Sequence, residues 1–249
     1  MTTFIAIYIT LLGLTLGSFF NVVGLRIPAG ESLVHPPSQC PKCRTRLTGM
    51  DLIPVVSYLF SRGKCRHCGT PISPVYPLGE AATGFLFLVM YLRLGLTLEG
   101  VTGILLVCLA VIITVSDLRY MLIPDKVLLF FTPLFLVLVP CLAKVSLGAH
   151  LLGALCGGGI LLLLALFGGM GVGDVKLFAL LGWIIGWPNV ILAFLIACAL
   201  GAGVGGILQW SGVIQRKQPV PFGPFLALGA LLSFLFGPDI ISAYLSFIG

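Results

Sequence analysis

Four of the eight cysteines stand in two pairs, Cys40-Pro-Lys-Cys43 and Cys65-Arg-His-Cys68. Two CxxC knuckles at this separation supply four thiolates for a tetrahedral zinc, a closed site that leaves no position for water. A zinc held this way staples a loop and does not catalyse. A disulfide pair or a redox CxxC would use the same residues, but the basic flanks and the reducing compartment assigned below favour metal. The second set of residues with chemistry is acidic. Only eight Asp and Glu occur in the chain, and two of them, Asp117 and Asp174, stand at the ends of long apolar runs. An ionisable group within a bilayer costs about 2.5–3.5 kcal/mol on insertion scales and therefore points to function. Two neighbouring carboxylates cannot both ionise easily, so they share a proton, one acting as base and the other as acid. Such a pair can activate water against a peptide bond. The glycines of Gly171-Val-Gly-Asp174 suit a place where a substrate backbone comes close.

Each of these residues also has a plainer reading. Asp174 can serve as an N-cap. Asp125 follows Ile123-Pro124 and reads as the cap of the next helix. Lys176, two residues beyond Asp174, does not share its helix face and reads as a membrane-surface anchor. Cys108, Cys141, Cys156 and Cys198 sit singly in apolar runs, as small buried hydrophobes do.

The elements that must position these groups are membrane helices. The chain has 249 residues, 59% hydrophobic and 9% charged, with a mean hydropathy of +1.15. Soluble domains carry roughly 25% charged residues, so a bilayer must solvate most of this surface. The net charge of +6 rests on few, localised basic residues, which argues against nucleic acid as a partner and for membrane orientation. Residues 1–25 contain no Lys or Arg and lack the n-region of a signal peptide, so the first run reads as a retained helix.

Charge-free runs predict an all-α polytopic bundle of about eight helices. The first is Phe4 to Leu25, and Tyr76 to Gly95, Gly100 to Ser116 and Val127 to Ala143 follow. A fifth spans Val145 to about Phe167. A sixth, short for a bilayer of about 30 Å, runs from Asp174 to Trp187. Trp187-Pro188-Asn189 breaks the next long run, and the last helix begins near Pro221 with a candidate break at Gly237-Pro238. Three regions result: the first transmembrane helix (1–25), a polar, Pro-rich, cytoplasmic zinc loop associated with methyl transfer (26–75), and a transmembrane aspartic peptidase domain (76–249). With the loop placed inside, alternation puts Arg26, Lys42, Arg44, Arg46, Arg62, Lys64, Arg66, Arg119, Lys126, Lys176, Arg216 and Lys217 inside and only Arg93 and Lys144 outside. That asymmetry predicts an outside N-terminus. Asp117 and Asp174 then lie at one depth near the cytoplasmic face. The spacings Gly153/Gly157, Gly182/Gly186 and Gly201/Gly205 are weak hints of close helix packing.

The ordered set resembles the bacterial type IV prepilin peptidases, and the resemblance covers nearly the whole chain. It is carried by Gly17-Ser-Phe-Phe-Asn-Val-Val-Gly-Leu-Arg26-Ile-Pro28, the two knuckles, Asp51-Leu-Ile-Pro54, Ile72-Ser-Pro-Val-Tyr76-Pro77-Leu-Gly-Glu80, Asp117 with Ile123-Pro124-Asp125, and the GxGD stretch at Gly171–Asp174. GxGD is shared more loosely with presenilin-type proteases. Arg119 stands where some members carry an acidic residue. The resemblance implies an inner-membrane enzyme that cuts the short basic leader of type IV prepilins or pseudopilins. The cut falls after a glycine, on the cytoplasmic side. It also implies methylation of the new N-terminal amine from S-adenosylmethionine. For that activity Glu80, Asn21 and Arg26 are the candidate cofactor residues, since they end the first helix and begin the second at one depth. A snorkelling Glu80 paired with Arg26 is the plainer reading. A leader peptidase without methylation, a transporter using Asp117 and Asp174 as ion sites, and a zinc-stapled scaffold remain as alternatives.

Overall fold

The computed structural model describes residues 2–142, 145–213, 215 and 220–248. Nine α-helices run through them: α1 (Thr2–Arg26), α2 (Val56–Phe60), α3 (Val75–Leu94), α4 (Leu98–Tyr120), α5 (Asp125–Leu138), α6 (Leu147–Leu166), α7 (Val172–Ile185), α8 (Asn189–Trp210) and α9 (Gly223–Ile248). Apart from the five-residue α2, these are the eight apolar helices expected. The only β pairing among the described residues is two isolated bridges, Gln39 with Arg46 and Lys64 with Pro71. Among the described residues, six helices are long and apolar enough to cross a membrane: α1, α3, α4, α6, α8 and α9. The other two long elements, α5 and α7, have 14 residues each, about 21 Å at 1.5 Å per residue. A 3-10 turn at Val139–Cys141 extends α5; Ala143, expected at its end, lies outside the described residues, as do Lys144, Arg216 and Lys217.

The chain divides into two compact units, Met1–Gly100 and Val101–Gly249. In the first, α1 packs on α3 through small residues. A Cβ at Gly13 would meet the Gly84 Cα at 2.9 Å, and one at Gly17 would meet the Glu80 Cα at 2.9 Å. Without an aqueous driving force, close backbone approach of this kind is what lets membrane helices associate. In the second unit, α4 is buried along most of its length. Gly153 and Gly157 of α6 face Gly182 and the Phe178 carbonyl of α7, so two of the glycine spacings do mark an interface. Gly201 lies against Phe222, whereas nothing approaches Gly205.

Trp187-Pro188-Asn189 separates α7 from α8, as expected. The break considered at Gly237-Pro238 does not occur, and α9 runs through Pro238. Proline removes one donor, here to the Phe234 carbonyl, and its ring crowds the preceding turn. Membrane helices tolerate this where neighbours supply polar groups. Beside it, Ser233 Oγ donates to the Asn189 carbonyl at 2.7 Å.

Candidate active site

Asp117 lies in the last turn of α4 and is 5% exposed. The chain leaves that helix through a strained turn in which Met121 adopts φ +51°, a left-handed conformation that side chains rarely take. Two bonds hold the turn: Met121 N–H to the Asp117 carbonyl at 2.8 Å, and Ser116 Oγ to the Leu122 carbonyl at 2.6 Å. Asp174 lies in the first turn of α7, where its Oδ2 accepts the Gly171 N–H at 3.2 Å. The N-cap is therefore Gly171 and not Asp174, which stands at the third helical position and reaches back to the cap N–H with one oxygen only. Both glycines of the GxGD stretch have a steric reason. A Cβ at Gly171 would meet Asp174 Oδ2 at 3.3 Å, and one at Gly173 would meet Ile123 Cβ at 3.1 Å.

The two aspartates line one pocket of about 260 Å³, together with Met121, Leu122, Ile123, Asp125, Gly171, Val172, Gly173 and Lys176. Asp125, expected as a cap, is the first residue of α5 behind the N-cap Pro124, and its side chain makes no cap bond. Lys176 Nζ donates to its Oδ1 at 2.8 Å and its Oδ2 at 2.9 Å. Lys176, expected as a membrane-surface anchor, is paired across the pocket from the α7 side.

One partner in this site was missed in the sequence. Gly223 N–H, at the start of α9, donates to Asp117 Oδ2 at 2.8 Å, and a Cβ there would lie 2.8 Å from that oxygen. The only signal for it is Pro221-Phe-Gly223-Pro224, a helix start with a glycine followed by proline at a position that tolerates it. Each aspartate thus has one oxygen fixed by a glycine N–H at a helix N-terminus, and no hydrogen bond engages the other among the described residues. Helix N-termini stabilise nearby negative charge by about 0.3–1 kcal/mol at exposed sites, which offsets part of the cost of burial.

In the first unit the four knuckle cysteines converge. Their sulfurs all lie within 4.8 Å of one another, with Cys40–Cys68 at 3.7 Å and Cys43–Cys65 at 4.0 Å. Four ligands at about 2.3 Å from a tetrahedral zinc stand about 3.8 Å apart, so the cluster fits such an ion. The knuckles repeat each other bond for bond. Cys40 N–H donates to Thr45 O and Arg44 N–H to Cys40 O, as Cys65 N–H donates to Thr70 O and Gly69 N–H to Cys65 O. The Thr45 hydroxyl, ahead of its backbone N–H, lowers the Cys43 thiol pKa. The Thr70 hydroxyl, then its N–H, brings Cys68 down to about 6. Both favour the thiolate that a metal requires. Asp51 ties the loop to the second knuckle, accepting from Thr48 Oγ1 at 2.7 Å and pairing with Arg66 Nε at 3.3 Å.

The candidate cofactor residues are held otherwise than expected. Glu80 is 8% exposed, too buried to snorkel, and its Oε2 accepts the Val55 N–H at 2.7 Å. Val55 has φ +61°, an outlier for a β-branched residue, so Glu80 secures a strained turn of the zinc loop. Arg26 Nη1 donates to the Ser32 carbonyl at 2.9 Å. Asn21 Nδ2 donates to the Tyr76 carbonyl at 3.0 Å, while its Oδ1 is buried with no hydrogen-bond partner.

Residues 11–94 match the Bacterial Peptidase A24 N-terminal domain, and residues 104–206 match the Type IV leader peptidase family. The chain is 41% identical over 236 residues to a prepilin leader peptidase/N-methyltransferase of Bacillus subtilis (strain 168), covering 94% of this chain and 95% of that protein. Proteins of the same description from Xanthomonas campestris pv. campestris and Aeromonas hydrophila are 36% and 34% identical, over 96% and 95% of this chain and 93% and 92% of their own. No solved structure matches. With two family matches and relatives aligned nearly end to end, the chain belongs to the type IV leader peptidase family.

Proposed function

We propose that the protein removes the N-terminal leader of type IV prepilins at the inner membrane, with Asp117 and Asp174 as the catalytic pair, and methylates the new N-terminal amine. The observation that carries the first activity is the shared pocket, in which each carboxylate has one oxygen engaged by a glycine N–H and the other uncommitted. In this reading the ionised member takes a proton from water as the water oxygen bonds to the peptide carbonyl carbon. The protonated member gives its proton to the carbonyl oxygen. Collapse of the diol breaks the C–N bond, the departing amine takes up the proton held by the base, and one diol hydroxyl returns its proton to the other aspartate, which restores the singly protonated pair. General acid–base action of this sort contributes about 10²–10⁴-fold.

The loop at 26–75 serves methylation, and the region from 76 onward carries the peptidase. The charge asymmetry of the basic residues supports a cytoplasmic loop and an outside N-terminus, which would bring the pair to the side where a leader is cut. Zinc held by Cys40, Cys43, Cys65 and Cys68 stabilises a loop too small for its own core. S-adenosylmethionine would supply the methyl group. Asn21 Oδ1, a buried acceptor without a partner, suits an ammonium donor, either of the cofactor or of the new N-terminus. Glu80 and Arg26 hold the surrounding loop through Val55 and Ser32.

The test is co-expression with a prepilin in cells lacking their own processing enzyme, followed by mass spectrometry of the pilin N-terminus. A shortened, methylated N-terminus is expected. Full-length prepilin contradicts the proposal, and a shortened but unmethylated N-terminus removes the second activity.

A further inference from the structure

Four charged side chains line the pocket: Asp117, Asp125, Asp174 and Lys176. The peptidase reading uses two of them. The other two grip each other with both carboxylate oxygens of Asp125 engaged, yet their side chains are 51% and 70% exposed for Lys176 and Asp125. Exposed ion pairs contribute little to folding, so stability gives no reason for this one. Position does. Asp125 opens α5 directly after the turn that begins at Asp117. Lys176 lies two residues past Asp174 in α7. The pair therefore ties together the two chain segments that carry the aspartates, beside the contact of Ile123 with Gly173.

The pair also decides where a positive charge sits. An ammonium within about 4–6 Å of a carboxylate favours its ionised form. A free Lys176 lodged in this pocket would pull both aspartates toward ionisation and remove the shared proton on which acid–base action depends. Asp125 holds the ammonium by two hydrogen bonds and so keeps it away from them.

We propose that Asp125 and Lys176 form a positioning clamp for leader cleavage, fixing the Asp174 turn against the Asp117 segment and keeping the lysine off the catalytic carboxylates. The inference rests on the peptidase reading. Neither residue touches the reacting atoms; both act through the aspartates.

The test uses the full-length chain in detergent and a prepilin substrate. Asp125→Asn is expected to lower kcat about 10²-fold, as misplacement of a reacting group by about 1 Å does, with KM nearly unchanged. Its released lysine moves the basic limb of the pH–rate profile to lower pH. Lys176→Met leaves an unpaired carboxylate and moves the profile the opposite way. The exchange Asp125→Lys with Lys176→Asp restores most of the lost rate, and Lys176→Arg retains it. Single variants with wild-type kcat and unmoved profiles overturn the clamp, and so does an exchange no faster than either single. If the wild type itself leaves prepilin uncut, the peptidase reading and the clamp that rests on it fail together, whereas cut prepilin with single variants like the wild type overturns the clamp alone.

Discussion

The four-cysteine loop and the aspartate pocket are built on opposite plans. The loop draws its four sulfurs from 29 consecutive residues, 40–68, and two copies of one local hydrogen-bond pattern aim them. The pocket draws on α4, α5, α7 and α9, and the bond that orients Asp117 comes from a glycine 106 positions away. A local site depends on its metal and its turns, whereas a dispersed site depends on helix packing holding each segment in register. The first should therefore fail by coming apart and the second by misalignment.

The largest effect short of removing the aspartates is expected at Gly223. Alanine there puts a Cβ 2.8 Å from Asp117 Oδ2 and 3.2 Å from its Cγ, so the carboxylate must shift. Leader-cleavage kcat of the purified protein should fall about 10²-fold or more. Gly205→Ala, in open space, should match wild type. Equal rates for the two variants would mean that the pocket is not aligned by α9.

Next comes the metal. Cys65→Ser, or a strong chelator, should abolish bound zinc and open the loop, because apparent binding energies of about 10–16 kcal/mol for structural zinc are also folding energies. Metal analysis and limited proteolysis within residues 26–75 read this out. A loop that stays protected without zinc would show that it has another core.

The smallest effect tests the thiolate partners. Cys68 is brought to about 6 from 9.0 chiefly by the Thr70 hydroxyl. The lowered value keeps the thiolate available above that pH, and protons compete with metal as the pH falls through it. Thr70→Val raises the thiol pKa, so the pH of half-release of zinc should move up, by less than about one unit. A downward move would contradict the assigned direction.

The same contrast explains what could be read in the sequence. The four-cysteine cluster, the eight apolar helices and the break at Trp187-Pro188-Asn189 follow from local spacing and composition. Asp117 and Asp174 stood out because charge is rare in apolar runs. The Gly223 bond, the Asp125–Lys176 pair and the tie from Glu80 to Val55 join residues distant in sequence, and no local pattern marks them. Pro238 looked like a break because local propensity disfavours it within a helix, whereas helix packing in a membrane overrides that preference.

The central claim is that Asp117 and Asp174 act as one unit on one water. The direct measurement is the single-turnover rate of prepilin cleavage by Asp117→Asn, Asp174→Asn and the double variant. Each single variant should lose cleavage by about 10³-fold or more, and the double should be no slower than either, as residues acting together are non-additive. Cleavage near the wild-type rate by either single variant, or losses that multiply in the double, would contradict the account.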